Sequence, residues 1–175
     1  MKRPNWDETC MEMVTTLMKR ATCLYHQVGC VLLSPDKTIV GTGYNGPPKG
    51  FPHCTDIGCN KDKGGNCVGS HAEMNALIFC VGSPYQTLSA ATLYISVFPC
   101  NQCIKQLVNT GIKRIVFLEW YRRRHVEEGK NVTEPSDGAI EIAKTARIAV
   151  DMYNIETHQL TEIKCFSGFS PAATK

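Results

Sequence analysis

The stretch from residue 92 to residue 119 constrains the fold most strongly, because it alternates two apolar runs with one helical segment. TLYISV (92–97) and KRIVFLE (113–119) have the composition of buried strands. The segment between them has Pro99 where a helix would begin and ends at Gly111. A strand, a helix and a second strand in this order predict parallel pairing, with helices covering the sheet. The stretch therefore predicts an α/β protein.

The rest of the chain extends the same pattern into a single domain over residues 1–175. We predict a three-layer sandwich in which a five-stranded mixed sheet is flanked by helices. A Gly-, Pro- and Cys-rich insert covers 44–69, and a tail covers 161–175. The first helix has Asn5 as its cap, with Glu8 three residues later. The predicted helices are 5–20, 71–81, 99–109 and 137–151, and the predicted strands are 28–33, 38–43, 92–97, 113–119 and 154–160.

Composition excludes several classes of protein. The chain has 175 residues, of which 43% are hydrophobic and 20% charged, and its net charge of +3 is too small to argue for a nucleic-acid partner. Since no apolar run approaches about 18 residues, and since the basic start of the chain is followed by acidic residues and not by an apolar stretch, we expect neither a membrane span nor a signal peptide. Its 10 cysteines then favour metal binding over disulfides. We expect a cytoplasmic protein, in the host-cell cytoplasm if its source is viral.

Two motifs at predicted helix starts have the composition of a metal site. His71 lies in the triplet HAE, and Cys100 and Cys103 lie in PCNQC. One imidazole and two thiolates, the latter one helical turn apart, supply three ligands to a tetrahedral zinc and leave one position open. The free N–H groups of a helix start favour the thiolate over the thiol. We therefore predict that these three residues bind a catalytic zinc.

Glu73 follows His71 by two residues, so we expect its carboxylate to point away from the metal. A carboxylate in that position can accept a proton from water and pass it to a substrate nitrogen. H-x-E followed by P-C-x-x-C is the signature of zinc-dependent nucleobase deaminases. The alternatives are a capping box from Ser70 to Glu73 and a redox or structural Cys-x-x-Cys pair. A purely structural zinc module is disfavoured because it has no use for the Glu73 carboxylate.

A larger set of segments, which extends from about Trp6 to Leu160, can be compared with known families. They are RATCLYHQVGCVL (20–32), GTGYNGPPKG (41–50), PHC (52–54), SHAEMNAL (70–77), FPCNQC (98–103) and, more loosely, KRIVFLEWY (113–121). Together they resemble the deoxycytidylate (dCMP) deaminase family of the cytidine deaminase-like superfamily. The GYNGPPKG loop is the discriminating element, because HAE and PCxxC also occur in tRNA adenosine and free-cytidine deaminases. The resemblance implies the cytidine deaminase-like fold and the zinc-dependent hydrolytic deamination of dCMP to dUMP, which supplies dUMP for thymidylate synthesis.

The resemblance also implies substrate contacts at Asn45, Ala72 and Tyr121. Asn45 precedes a glycine, which is equally a turn signal, and Tyr121 could serve packing alone. The arginine run at 122–124 could bind the 5′-phosphate or form a solvated surface. The alternative activities are deamination of another cytosine nucleotide, or of a base in tRNA or single-stranded DNA. Enzymes that act on a strand hold it with basic and aromatic surfaces.

The resemblance further implies a second, structural zinc in the insert over 44–69. This insert is too polar to form its own core, so a metal would help to fold it. His53 is an alternative ligand there, while Cys30 and Cys80 lie in apolar patterns and are predicted to be buried packing residues. The implied ligands of the second zinc are Cys23, Cys54, Cys59 and Cys67.

Members of the dCMP branch include hexamers regulated by dCTP and dTTP with magnesium. The resemblance therefore implies a homo-oligomer with nucleotide effectors and a possible Mg²⁺ cofactor. The expected partners are the substrate dCMP and those effectors, with no stable nucleic-acid partner and no membrane. Bacterial, phage and viral sources are all compatible with the sequence.

Overall fold

The computed structural model describes residues 3–59, 67–81, 88–121 and 137–163. Within these ranges, no helix has both the length and the apolar character needed to cross a membrane. The helices are α1 (Trp6–Met18), α2 (Cys54–Ile57), α3 (Ala72–Cys80), α4 (Asn101–Asn109) and α5 (Asp137–Thr145). The strands are β1 (Gly29–Leu33), β2 (Ile39–Tyr44), β3 (Thr92–Val97), β4 (Arg114–Glu119), β5 (Ala149–Tyr153) and β6 (Leu160–Glu162).

All of these strands form one mixed sheet in the order β2-β1-β3-β4-β5-β6. β1 pairs antiparallel with both β2 and β3, whereas β3, β4 and β5 are mutually parallel and β6 returns antiparallel. The predicted α/β architecture with a mixed sheet is therefore confirmed. The sheet is six-stranded, so the predicted count of five was wrong.

The error lies in the last third of the chain. The helix predicted over 137–151 ends at Thr145, and Arg147 has a positive φ of 57° that turns the chain out of the helix. Residues 149–153 then pair with β4 as a strand. The predicted strand over 154–160 is mostly a turn, and β6 occupies the start of the predicted tail. Pairing with a distant strand overrides the local helical pattern here.

Helices cover both faces of the sheet and enclose two clusters of buried side chains. Val31 and Leu33 face α1, while Cys30 and Leu32, which alternate with them in β1, face the larger cluster. The larger cluster contains residues from α3, α4 and α5. Cys30 and Cys80 are both buried within it, as predicted.

Polar contacts cap the start of helix α1 and hold the helix against the sheet. The predicted capping box is formed by Asn5 and Glu8. The Asp7 carboxylate accepts hydrogen bonds from Arg114 Nη1 at 2.7 Å and from the Tyr94 hydroxyl at 2.6 Å. Arg114 Nε also donates to Asp151 at 2.7 Å. One guanidinium therefore links α1 to two parallel strands.

Candidate active site

The ends of four strands meet at one edge of the sheet. β3 and β4 are parallel and end side by side, with Val97 opposite Glu119. β1 is antiparallel to β3, so it begins at this edge with Gly29, and β2 ends there with Tyr44 opposite Gly29. Ligands of open α/β sheets bind outside the carboxyl ends of the parallel strands. The topology therefore brings the 20–28, 44–46, 97–103 and 119–121 segments together.

A cavity of about 640 Å³ lies at this edge. Its volume is within the range of small-molecule sites. Most of the candidate site residues line this cavity: His71, Ala72, Glu73, Cys100, Asn45, Tyr121, Cys23, Cys54, Cys59 and Cys67. The predicted zinc ligand Cys103 is not part of the lining and is buried.

The start of α3 is fixed at the cavity by two close contacts with the β2 segment. Gly46 and Ser70 exchange backbone hydrogen bonds of 2.8 and 3.2 Å. One turn along, α3 packs directly on β2, because a Cβ atom at Gly43 would lie 2.2 Å from the Ala72 carbonyl oxygen. Only a glycine allows this approach, so the GTGYNG sequence positions the helix that carries His71.

His71 and Cys100 are both N-cap residues, of α3 and α4 respectively. Both have extended backbone conformations, and neither side chain forms a cap hydrogen bond. Their side chains are directed at each other instead, with His71 Nδ1 3.5 Å from Cys100 Sγ and 3.4 Å from Cys103 Sγ. Two helix starts therefore present three metal-ligand atoms to one point.

The donor set fits a zinc ion. The three ligand atoms of His71, Cys100 and Cys103 lie within 4.8 Å of one another, and they form the group that meets this distance among the described His, Cys, Asp and Glu residues. A tetrahedral zinc with Zn–N and Zn–S bonds of about 2.0 and 2.3 Å separates nitrogen from sulfur by about 3.5 Å. The observed distances match this value without rearrangement.

The electrostatics of the two thiols favour a metal ligand. A hydrogen bond from the Cys103 thiol outweighs burial and, with a further one from His71, lowers the pKa of Cys100 to about 3. Cys103 is the proton donor of this pair, and the hydrogen bond to Cys100 raises its pKa. The Cys100 thiolate therefore lies at the start of α4, where free N–H groups stabilise negative charge.

Glu73 is almost completely enclosed, with 4% of its surface exposed. Burial raises the pKa of its carboxyl group, and the Cys103 side chain hydrogen-bonds to it. The alternative capping box is not formed, because His71 is the N-cap and the backbone of Ser70 pairs with Gly46. A buried carboxyl group with a raised pKa beside a metal site suits a group that takes up and returns a proton.

Asn45 organises the wall of the cavity. Its Oδ1 accepts a hydrogen bond of 2.7 Å from the Val28 N–H, and its Nδ2 donates one of 2.8 Å to the His26 carbonyl oxygen. These bonds use one acceptor site and one donor of an amide that offers two of each. Asn45 thus fixes the backbone ahead of β1, and its predicted contact with the substrate stays a prediction.

Two lining residues, His26 and Thr22, were missed by the sequence reasoning. The His26 ring packs against the Tyr121 ring, with centroids 5.3 Å apart and an interplanar angle of 37°. The Thr22 hydroxyl oxygen is buried and has no hydrogen-bond partner among the described residues. Both precede β1, so the antiparallel pairing of β1 with β3 is the signal that could have located them. The arginines at 122–124 lie outside the described residues.

The four cysteines predicted to bind the second zinc all line the cavity, but they are less tightly grouped than His71, Cys100 and Cys103. Cys23 Sγ accepts the Tyr25 N–H at 3.5 Å, and Cys67 Sγ accepts the Gly69 N–H at 3.3 Å. Across the described ranges, no three of the four sulfur atoms lie within 4.8 Å of one another. The alternative ligand His53 is the exposed N-cap of α2 and is not part of the cavity lining. The second zinc site therefore stays a prediction.

Comparison with known proteins identifies relatives of this chain. Residues 4–119 match the sequence model of the cytidine and deoxycytidylate deaminase zinc-binding region. The chain is 35% identical over 128 residues to the deoxycytidylate deaminase of Mycobacterium phage D29, a match that covers 67% of this chain and 97% of that protein. It is 34% identical over 128 residues to the deoxycytidylate deaminase of Saccharomyces cerevisiae, covering 70% of this chain but only 40% of the yeast protein.

The fold has a close structural counterpart. The crystal structure of dCMP deaminase from the cyanophage S-TIM5 in complex with dCMP and dUMP superposes with a TM-score of 0.67 at 21% identity, covering 87% of this chain and 99% of that one. At this identity the likeness concerns the fold. The match over residues 4–119 shows that the chain belongs to the cytidine and deoxycytidylate deaminase family.

Proposed function

We propose that this protein catalyses the zinc-dependent hydrolytic deamination of dCMP to dUMP and ammonia. The observation that carries the proposal is the convergence of His71, Cys100 and Cys103 beside the buried Glu73, in a cavity large enough for a mononucleotide. The names of the phage and yeast relatives support dCMP as the substrate. The same reaction would supply dUMP for thymidylate synthesis.

The residues divide the chemistry among them. A zinc held by three protein ligands supplies a Lewis acid that makes water nucleophilic at neutral pH. Glu73 accepts a proton from the attacking water and donates it to the departing amino nitrogen, so the carboxylate is regenerated in each cycle. The C4–N bond breaks, a C4–O bond forms, and one water is consumed for each ammonia released. Enclosure of Glu73 keeps this proton from exchanging with bulk water.

The finer assignments of the site belong to the same proposal. Asn45, Ala72 and Tyr121 contact the nucleotide, and all three line the cavity. A structural zinc bound by Cys23, Cys54, Cys59 and Cys67 folds the insert, and the shared cavity lining of these cysteines supports it. Hexamer formation, control by dCTP and dTTP with Mg²⁺, and a cytoplasmic location stay predictions from the sequence.

The competing function is deamination of a base in tRNA or single-stranded DNA. Such enzymes need a basic and aromatic surface that holds a strand. The described residues that line the cavity include neither lysine nor arginine. This composition favours a single nucleotide over a strand.

A substrate panel tests the proposal. Ammonia release by the zinc-loaded protein is measured with dCMP, dCTP, deoxycytidine, a cytosine-containing oligonucleotide and tRNA. We expect dCMP to be deaminated at least about tenfold more efficiently than deoxycytidine, because charge-assisted contacts to phosphate are strong. Equal rates on dCMP and deoxycytidine, or efficient turnover of the oligonucleotide, would contradict it.

A further inference from the structure

The His26 and Tyr121 rings both line the cavity, although the two residues are far apart in the sequence. His26 precedes β1 and Tyr121 follows β4, and their ring centroids are 5.3 Å apart. The antiparallel pairing of β1 with β3, and the parallel pairing of β3 with β4, bring these two segments to the same edge. The pair is therefore positioned by the sheet itself.

Asn45 fixes the backbone next to His26 with two hydrogen bonds, one on each side of residue 27. Asn45 Nδ2 donates to the His26 carbonyl oxygen at 2.8 Å, and the Val28 N–H donates to Asn45 Oδ1 at 2.7 Å. Asn45 thus holds the backbone of His26, and the imidazole ring packs against the Tyr121 ring. A side chain fixed before the ligand arrives loses little conformational freedom when it binds.

The charges around the cavity leave few groups for an anionic ligand. The described lining contains neither lysine nor arginine, and His71 and His26 are its side chains that can carry a positive charge. His71 belongs to the group of three residues that could hold a metal ion. A nucleoside monophosphate carries close to two negative charges at neutral pH. His26 is therefore the lining side chain best suited to its phosphate.

We propose that His26, packed against Tyr121, hydrogen-bonds the 5′-phosphate of the bound nucleotide and thereby selects the nucleotide over the nucleoside. This inference rests on the proposed deamination of dCMP and adds a specificity residue to it.

The test compares His26→Phe with His26→Gln. Phenylalanine keeps an aromatic ring against Tyr121 and removes the donor, whereas glutamine keeps a donor and removes the ring. His158→Phe is the matched control, because His158 also packs on a tyrosine, Tyr153, with centroids 6.2 Å apart, and lies outside the cavity lining. Zinc content and circular dichroism verify that each variant is folded.

We expect His26→Phe to raise the KM for dCMP about 10- to 100-fold with little change in kcat, the loss typical of a hydrogen bond to a charged group. Turnover of deoxycytidine stays the same, His26→Gln recovers part of the loss, and His158→Phe equals the wild type. An unchanged KM for dCMP, or equal losses on dCMP and deoxycytidine, would overturn the assignment.

Binding calorimetry separates this inference from the proposed reaction. The affinities of dUMP and deoxyuridine are measured for the wild type and for His26→Phe. We expect the variant to lose affinity for dUMP and not for deoxyuridine. If the wild type fails to deaminate dCMP, the proposed reaction is wrong, but the calorimetric comparison still tests His26. Equal affinities of the wild type and His26→Phe for dUMP would refute the phosphate contact.

Discussion

His71 Nδ1 lies 3.5 Å from Cys100 Sγ, although the two residues are 29 positions apart and cap different helices. Each is an N-cap whose side chain makes no cap hydrogen bond, and each backbone leads directly into its helix. The candidate metal site therefore lies at two helix starts whose N-cap side chains make no capping hydrogen bond.

This relationship predicts an unusual outcome for Cys100→Ser. Serine is a favoured N-cap, worth about 1 kcal/mol over a residue that cannot cap, so α4 should be as stable as before or more so. The hydroxyl is a poor zinc ligand, so the catalytic zinc and the activity should be lost. Metal analysis, urea unfolding of the metal-free proteins and dCMP turnover check this. A Cys100→Ser protein that keeps full zinc and activity would contradict the ligand assignment.

The second zinc is tested by metal stoichiometry. We expect two zincs per chain in the wild type, and we expect Cys59→Ser to weaken one of them, lower the melting temperature and leave the catalytic zinc bound. Cys80→Ala is the control, because Cys80 is buried in the core and its loss should lower stability without changing the zinc content. One zinc per chain in the wild type would refute the second site.

Gly43→Ala should damage the active site through the backbone. Its Cβ would lie 2.2 Å from the Ala72 carbonyl oxygen and 2.7 Å from the Ala76 nitrogen, so the start of α3 must move away from β2. We expect a loss of about 3 kcal/mol in the free energy of unfolding and a fall in kcat.

Gly41→Ala is the matched comparison for this change. Its Cβ would meet Cys80 Sγ and the Ala76 carbonyl oxygen, which lie nearer the end of α3. We expect a similar loss of stability but a smaller loss of activity. Equal activity losses would show that the position of the His71–Glu73 turn does not depend on Gly43.

The ion pair between Asp7 and Arg114 predicts a pH-dependent stability. Burial would raise the pKa of Asp7, but hydrogen bonds from Arg114 and Tyr94 hold it below its ordinary value of 3.8. A carboxylate with a lowered pKa in the folded state contributes stability that is complete above its ordinary pKa and is lost as the pH falls through the folded-state value.

Asp7→Asn should therefore lose about 2 kcal/mol at pH 7, between the values for surface and buried pairs, because the two side chains are 21% and 28% exposed. The difference from the wild type should shrink as the pH falls below about 4. Urea unfolding at a series of pH values measures this. A difference that is constant down to pH 2 would exclude the charge as its cause.

The convergence of His71, Cys100 and Cys103 could be predicted from the sequence because each motif is local. HAE and PCNQC each combine a helix start with metal ligands, so the ligand geometry follows once two helices meet at one sheet edge. The packing of His26 against Tyr121 is different, because it depends on the register of three strands. β5 was missed for a related reason, since its pairing with β4 decides its conformation more than its own periodicity does.

The most direct test of the account is Glu73→Gln in the zinc-loaded protein. Glu73 is buried beside the metal ligands but is not one of them, and its proposed role is to move protons. We predict that this variant keeps the zinc content of the wild type and deaminates dCMP at least about 100-fold more slowly, as is typical for loss of a general acid–base group. Turnover close to that of the wild type, or loss of the catalytic zinc, would contradict the account.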